Sequence, residues 1–472
     1  MVFNSLTFLG FLAVMLALDR VLTSWRARKL HLLVASYAFY AAWNPPLVVL
    51  IWVSTLVDWF AAKGMARART PAGKRAWLLA SLISNLGLLG FFKYAGFLLE
   101  GFTSLLTAMG VHYQPPPLSI VLPVGISFYT FQTLSYTIDV YRGHERPWDS
   151  FVDFALFVTF FPQLVAGPIV RAREFHPQFE EPRRGGAAQL GWGSALIAFG
   201  LFEKVVLADG LFAPIADQVY SKALRAGFAE AWTGTLAFSG QIFCDFAGYS
   251  TCAVGVALCL GFNLPDNFRA PYAAVGFSDF WRRWHVSLSG WLRDYLYIPL
   301  GGNRRGPGRT YVNLMFTMLL GGLWHGASWM FVIWGGLHGL YLAVERRLRT
   351  SFGEPAWTRA PLASVALALG TYALVCLTWV FFRSRDMASA AHLSRAMLAG
   401  APDSGLLGPV DHALVLGLSA AILASHWRSR HSTLAAVWER TPRWARVLAL
   451  ASFLVLLALG GGDDRAFIYF QF

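Results

Sequence analysis

The sequence predicts an all-α, polytopic integral membrane protein with roughly 10–12 transmembrane helices. Three observations predict it. Hydrophobic residues make up 56% of the 472 and charged residues only 14%, against the roughly 25% that a soluble domain uses to cover its surface. The apolar runs are continuous and approach the ~20 residues a helix needs to cross a ~30 Å hydrocarbon core, without the two-residue alternation of barrel strands. The basic residues fall in short clusters between these runs, so the net charge of +13 follows the positive-inside rule rather than a nucleic-acid surface. Such hydrophobicity also excludes a disordered chain.

Taken in order, the first apolar segment follows Met1 to Ser5, which carry no basic residue. No small-residue cleavage site follows it, so it reads as a retained helix. Basic clusters at Arg26–Lys29 and Lys63–Arg75 bracket an apolar stretch broken by Asn44-Pro45-Pro46. That pattern predicts a helical hairpin with its turn outside and therefore an outer N-terminus. Pro115-Pro116-Pro117 is a second candidate outer turn. Tyr311 to Val344 is uncharged and flanked by arginines on both sides. As one helix it would run roughly 50 Å at ~1.5 Å per residue, too long for the bilayer, so it predicts two helices joined near Gly321–Gly326. Leu362–Phe382 and Val447–Gly462 are uncharged spans. The last of them carries the tail 463–472 to the outer face. No repeat or linker divides the chain, which reads as one membrane domain over 1–472, with core motifs in 120–346 and a C-terminal helix and tail in 447–472.

The break near Gly321-Gly322-Leu323-Trp324-His325-Gly326 supplies the sharpest chemical candidate. A leg from Tyr311 to Trp324 rises only ~21 Å, which leaves His325 at membrane depth, where an ionisable group is costly and commonly functional. Imidazole titrates near neutral pH and suits proton transfer. The structural alternative is a histidine that joins helices by hydrogen bonding. His338 is a second, weaker candidate of the same kind. The segment Phe277–Gly302 mixes Trp281, Arg282, Arg283, Trp284, His285, Ser289 and Asp294 too densely for a lipid-facing helix. At helical spacing Trp281, His285 and Ser289 share a face, as do Trp284, Leu288 and Trp291. It reads either as an interfacial helix or as a basic, aromatic wall for an anionic donor. Asp245 is an intramembrane acid of open role, whereas Glu203/Lys204 and Asp139/Arg142 read as structural ion pairs, the latter closing a helix. The four cysteines, Cys244, Cys252, Cys259 and Cys376, lie in apolar stretches without a CxxC pair and read as small buried hydrophobes. No metal-ligand motif, nucleophile elbow or phosphate loop is present, which disfavours metal, serine-triad and ATP-driven chemistry.

These segments also carry a resemblance. Leu122-Pro123-Val124-Gly125-Ile126-Ser127-Phe128-Tyr129, Ile138-Asp139-Val140-Tyr141-Arg142-Gly143 and Phe161-Pro162-Gln163-Leu164-Val165-Ala166-Gly167-Pro168 resemble motifs of the membrane-bound O-acyltransferase family. So do Asp245–Ser250, Phe280–Asp294, Leu300–Arg304 and Gly321–Ala327, most closely in the bacterial branch that O-acetylates alginate. The resemblance implies a ring of helices around a central tunnel in the bacterial cytoplasmic membrane. It implies transfer of an acyl group, usually acetyl, from a cytoplasmic thioester such as acetyl-CoA to a hydroxyl. The family's signature histidine falls on His325, and the histidine of its Trp-Arg-Arg-Trp-His motif on His285. Trp281, Arg282, Arg283, Trp284, Ser289, Asp294, Trp324, Asp245 and His338 are then candidates for substrate contact. Phe467-Ile468-Tyr469-Phe470-Gln471-Phe472 resembles an aromatic tail in which the tyrosine hands the acyl group outward, here Tyr469. The implied partners are a polysaccharide acceptor, an extracytoplasmic acyltransferase resembling SGNH hydrolases, and membrane lipid, with no bound cofactor and no nucleic acid. D-alanyl transfer, a glycan transporter and a scaffold for a secretion complex are the competing readings. A transporter predicts inverted repeats with paired broken helices, and none is visible.

Overall fold

Continuous apolar sequence with helix-capping residues at its breaks gives helix after helix. Ser5, Ser24, Thr70, Ser150, Asp386 and Thr433 each accept a backbone amide in the first turn of the helix that follows. The computed structural model describes residues 1–116, 118, 120–353, 355–460, 465, 467 and 468, and every regular element among them is helical. Among the described residues five helical stretches are long and apolar enough to cross a membrane: Pro45–Arg67, Pro71–Ala108, Phe228–Cys259, Pro361–Arg383 and Pro409–Ser429. The predicted span at Leu362–Phe382 is thus observed. The predicted span at Val447–Gly462 corresponds to the helix Arg443–Leu459. The outer turn at Pro115–Pro117 lies partly outside the described residues, and Tyr469 and most of the tail lie wholly outside them.

The chain forms two compact units that interleave along the sequence. The first comprises Met1–Gly193, Val256–Leu264 and Gly326–Ser328. It contains the predicted hairpin, Trp25–Ala41 and Val48–Arg67, turned by a short 3₁₀ segment at Pro45–Leu47. A buried polar layer links its helices. Asp58 accepts hydrogen bonds from Ser81 Oγ at 2.5 Å and from Asn85 Nδ2 at 3.0 Å, and Arg28 forms a bidentate pair with Asp19 at 2.7 and 2.8 Å. Helix Ile126–Arg142 ends as predicted at Asp139–Arg142, with Gly143 in the left-handed conformation. Asp139 lies 3.9 Å from Nδ1 of His144.

The second unit comprises Ser194–Gly255, Pro265–His325 and Trp329–Phe472. Its core is aromatic: Trp284, Trp334 and Trp379 are fully buried, with Trp379 tilted against Trp284 at 5.2 Å and stacked on Trp334 at 5.9 Å. The uncharged stretch after Tyr311 does fold as two helices, Pro307–His325 and Trp329–Phe352. Glycine lets their backbones touch: a Cβ at Gly322 would collide with the carbonyl oxygen of Phe331, and one at Gly335 with that of Met318. Among the described residues of both units three stretches wind as π-helix, Gly90–Tyr94 in the first and Phe202–Phe212 and Arg293–Tyr297 in the second.

One expectation is overturned by backbone geometry. The segment Phe277–Gly302 is not a single helix. It runs as Phe277–Trp281, then breaks, then resumes as Val286–Leu292 and the π segment Arg293–Tyr297. The break falls on His285, whose φ of 43° and ψ of 55° are left-handed. Trp281, His285 and Ser289 therefore do not share a helical face.

Candidate active site

Both sequence-identified histidines lie in the second unit, and the fold brings them together. His325 ends the helix Pro307–His325, and its imidazole centroid is 6.5 Å from that of His285. Both are buried, His325 with 3% and His285 with 0% of its surface exposed. Aromatic rings enclose the pair. Trp324, Trp334 and Phe382 stand edge-on to His325 at 5.1, 5.0 and 5.4 Å. Trp324 and Phe246 flank His285 at 5.7 and 4.7 Å. Such a setting excludes water and strengthens electrostatic interactions within it.

A left-handed backbone at a non-glycine residue is strained by about 1–2 kcal/mol, and it persists where neighbours over-determine it. At His285 that neighbour is Asn267. Its backbone carbonyl accepts the amide of Val286 at 2.9 Å. Its side-chain oxygen accepts from the Ser287 hydroxyl at 2.9 Å and from its amide at 3.4 Å. Its Nδ2 donates to Ser250 Oγ at 3.2 Å, which fixes the amide's orientation. Nδ1 of His285, 3.0 Å from the same oxygen, therefore carries the proton. The lone pair is left on Nε2, the nitrogen able to take a proton or polarise a substrate. Sequence reading missed Asn267. The only signal is a polar Pro265-Asp266-Asn267 turn in an otherwise apolar chain.

The other predicted residues divide. Trp324 lies in the site. His338 is buried behind Trp334, which touches both it and His325, at 4.7 and 5.0 Å. The hydroxyl of Thr378 donates to the carbonyl of Val375 and so accepts from His338 Nε2 at 3.0 Å, a bond that joins two helices. Trp281 packs on Trp334 and His338 at 5.8 and 5.2 Å. Trp284 is fully buried core, stacked on Phe280. Arg283 pairs with Asp279 at 3.0 Å and donates to the backbone carbonyls of Arg269 and Arg430. Arg282 is exposed, 3.7 Å from Asp279. Ser289 Oγ donates to the carbonyl of Trp284 at 3.2 Å, and Asp294 accepts both arms of Arg293 at 2.7 and 3.2 Å.

The predicted Glu203/Lys204 pair is corrected. Lys204 reaches Asp209 at 2.9 Å and Asp245 at 2.8 Å instead. The π-helical winding of Phe202–Phe212 sets residues 204 and 209 five apart, one π turn, where they meet. Asp245 is thus part of a buried charge cluster, beside a cavity of about 350 Å³ also lined by Asp209, Asp217, Gln241 and Arg383. Among the described residues no group of histidines, cysteines and acids has the geometry to hold a metal ion.

Residues 143–379 match the model of the membrane-bound O-acyltransferase family, a range that takes in both histidines, Asn267, Phe246, Trp324 and Trp334. The chain belongs to the membrane-bound O-acyltransferase family. Its activity class is therefore acyl transfer to oxygen, and it is a membrane protein. The chain is 38% identical to a probable alginate O-acetylase of Pseudomonas putida, over the whole of both chains. It is 42% identical to a probable alginate O-acetylase of Pseudomonas aeruginosa, over 84% of this chain and 75% of that one. It is 39% identical to a peptidoglycan O-acetyltransferase of Helicobacter pylori, over 78% and 73%. This member of the family keeps the two histidines within one shared aromatic enclosure.

Proposed function

We propose that this acyltransferase moves an acetyl group from a cytoplasmic thioester, acetyl-CoA or a carrier-bound equivalent, to a hydroxyl, for O-acetylation of an exported polysaccharide of the alginate type. The observation that carries the reading is the buried pair His285 and His325, 6.5 Å apart in an aromatic enclosure. The names of the relatives, acetylases of alginate and peptidoglycan, support an acetyl group and a glycan acceptor.

In this reading His325 removes the proton of the acceptor hydroxyl as its oxygen attacks the thioester carbonyl carbon. The new C–O ester bond forms, the C–S bond breaks, and the thiolate leaves with a proton returned from imidazolium. His285, with its lone pair on Nε2, orients or polarises the donor. Burial holds the reactants together and keeps water from the thioester. Tyr469 is the proposed first acceptor, since a phenol yields its proton more readily than a sugar alcohol. An extracytoplasmic acyltransferase then completes transfer to polymer. Trp281, Arg282, Arg283, Trp284, Ser289 and Asp294 remain proposed as the wall on the donor side. Both termini are proposed to lie outside the bacterial cytoplasmic membrane, and the two interleaved units to act as one domain.

Replacing His325 with alanine, in cells that make the polymer, tests this. The expected outcome is loss of polymer O-acetylation with protein levels unchanged. Acetylation at the wild-type level would reject the assignment.

A further inference from the structure

We propose that Asp217 and Asp245, with Arg383 bracing Asp217, are positioning residues that hold Arg465 and Ile468 of the C-terminal segment, and that this docked position is the working one for the acceptor side of the reaction. The proposal deepens the acyl-transfer reading and rests on it for the identity of the step. Three contacts make the dock. Asp217 is shared between two guanidinium groups, Arg383 at 2.6 Å and Arg465 at 2.6 Å. Asp245 holds Lys204 with one oxygen at 2.8 Å and accepts the backbone amide of Ile468 with the other at 2.7 Å. Phe467 is buried against Phe246 and Tyr249 at 5.7 and 4.9 Å.

Asp245, which holds the tail directly, and Arg383, which holds Asp217, each lie next in sequence to a residue that touches a catalytic candidate. Asp245 precedes Phe246, which packs edge-on to His285 at 4.7 Å. Arg383 follows Phe382, which stands 5.4 Å from His325. Helix Phe228–Cys259 thus holds Ile468 with one residue and touches His285 with the next, while helix Pro361–Arg383 touches His325 with one residue and braces Asp217 with the next. A tail that served only as a membrane anchor would need apolar side chains at the lipid surface. Here Arg465 and Ile468 are held by charge-assisted hydrogen bonds to carboxylates of the protein. The amide–carboxylate bond to Ile468 fixes backbone position whatever the side chain, as a positioning device requires.

The test uses the full-length protein in membranes, with acetyl-CoA as donor, and follows both its consumption and the O-acetyl content of the polymer. Arg465→Ala is expected to lower kcat for transfer roughly 10- to 100-fold, the cost of a misplaced group, with KM for acetyl-CoA within about twofold. Arg465→Lys keeps most of the rate. In Asp217→Cys with Arg465→Cys, joining the pair with a short bifunctional thiol reagent is expected to restore at least half the rate. The four native cysteines are buried. A wild-type kcat in Arg465→Ala overturns the proposal, and so does a crosslink that silences the enzyme while reduction revives it. If Tyr469→Phe keeps full activity while Arg465→Ala does not, the relay role of Tyr469 falls and the dock stands.

Discussion

At the scale of single residues, the proposed chemistry rests on a strained histidine and the asparagine that holds it. His285 is left-handed at φ 43°, and Asn267 grips residues 285–287 through its backbone carbonyl and its side-chain oxygen. Replacing Asn267 with alanine leaves His285 Nδ1 and Ser287 Oγ without that acceptor, a cost of about 1–3 kcal/mol for buried polar groups. The expected outcome is a folded protein with acyl transfer down roughly tenfold or more, and serine at 267 retaining more activity than alanine. Equal, wild-type rates in both would show that the tautomer of His285 does not matter. His285 and His325 were legible in the sequence because a histidine inside an apolar run is conspicuous. Asn267 was not, because eighteen positions separate it from His285 and only folding brings them together. The partner of Lys204 was misread for a related reason: adjacency suggested Glu203, while the π turn delivers Asp209 and helix Phe228–Cys259 delivers Asp245.

At the scale of elements, length and charge located the break between Pro307–His325 and Trp329–Phe352, because an uncharged stretch with arginines at both ends must return to the side it started from. Periodicity failed at Phe277–Gly302. The 3.6-residue pattern presumes right-handed backbone throughout, and one left-handed residue at 285 rotates everything after it. The close crossing of the two glycine-bearing helices sets where His325 ends up. Gly335→Leu places a side chain against the Met318 carbonyl, whereas alanine at Gly336 meets only the Leu319 side chain at 3.5 Å, an ordinary contact. Gly335→Leu is expected to lower the midpoint of thermal unfolding in detergent by several degrees, with overpacking costing about 1–3 kcal/mol. Gly336→Ala is expected to leave it unchanged. Equal midpoints would mean that the helices adjust freely and that the crossing does not fix the histidine.

At the scale of the whole molecule, composition alone led to a helical membrane protein, because a chain with 14% charged residues has too little polar surface for water. It did not reveal how buried charge is used. Lys204, Asp209 and Asp245 form a buried cluster and Asp217, Arg383 and Arg465 a half-buried one, and spacing along the chain carries no trace of either. The proposed site of acyl transfer is the histidine pair. The most direct measurement is an experimental density map of the protein bound to a non-reactive thioether analogue of acetyl-CoA. The account predicts the sulfur within ~4 Å of the His325 or His285 imidazole, the reach of a near-attack geometry. A sulfur seated in the cavity of Asp209 and Asp217, or anywhere else remote from both imidazoles, would contradict it.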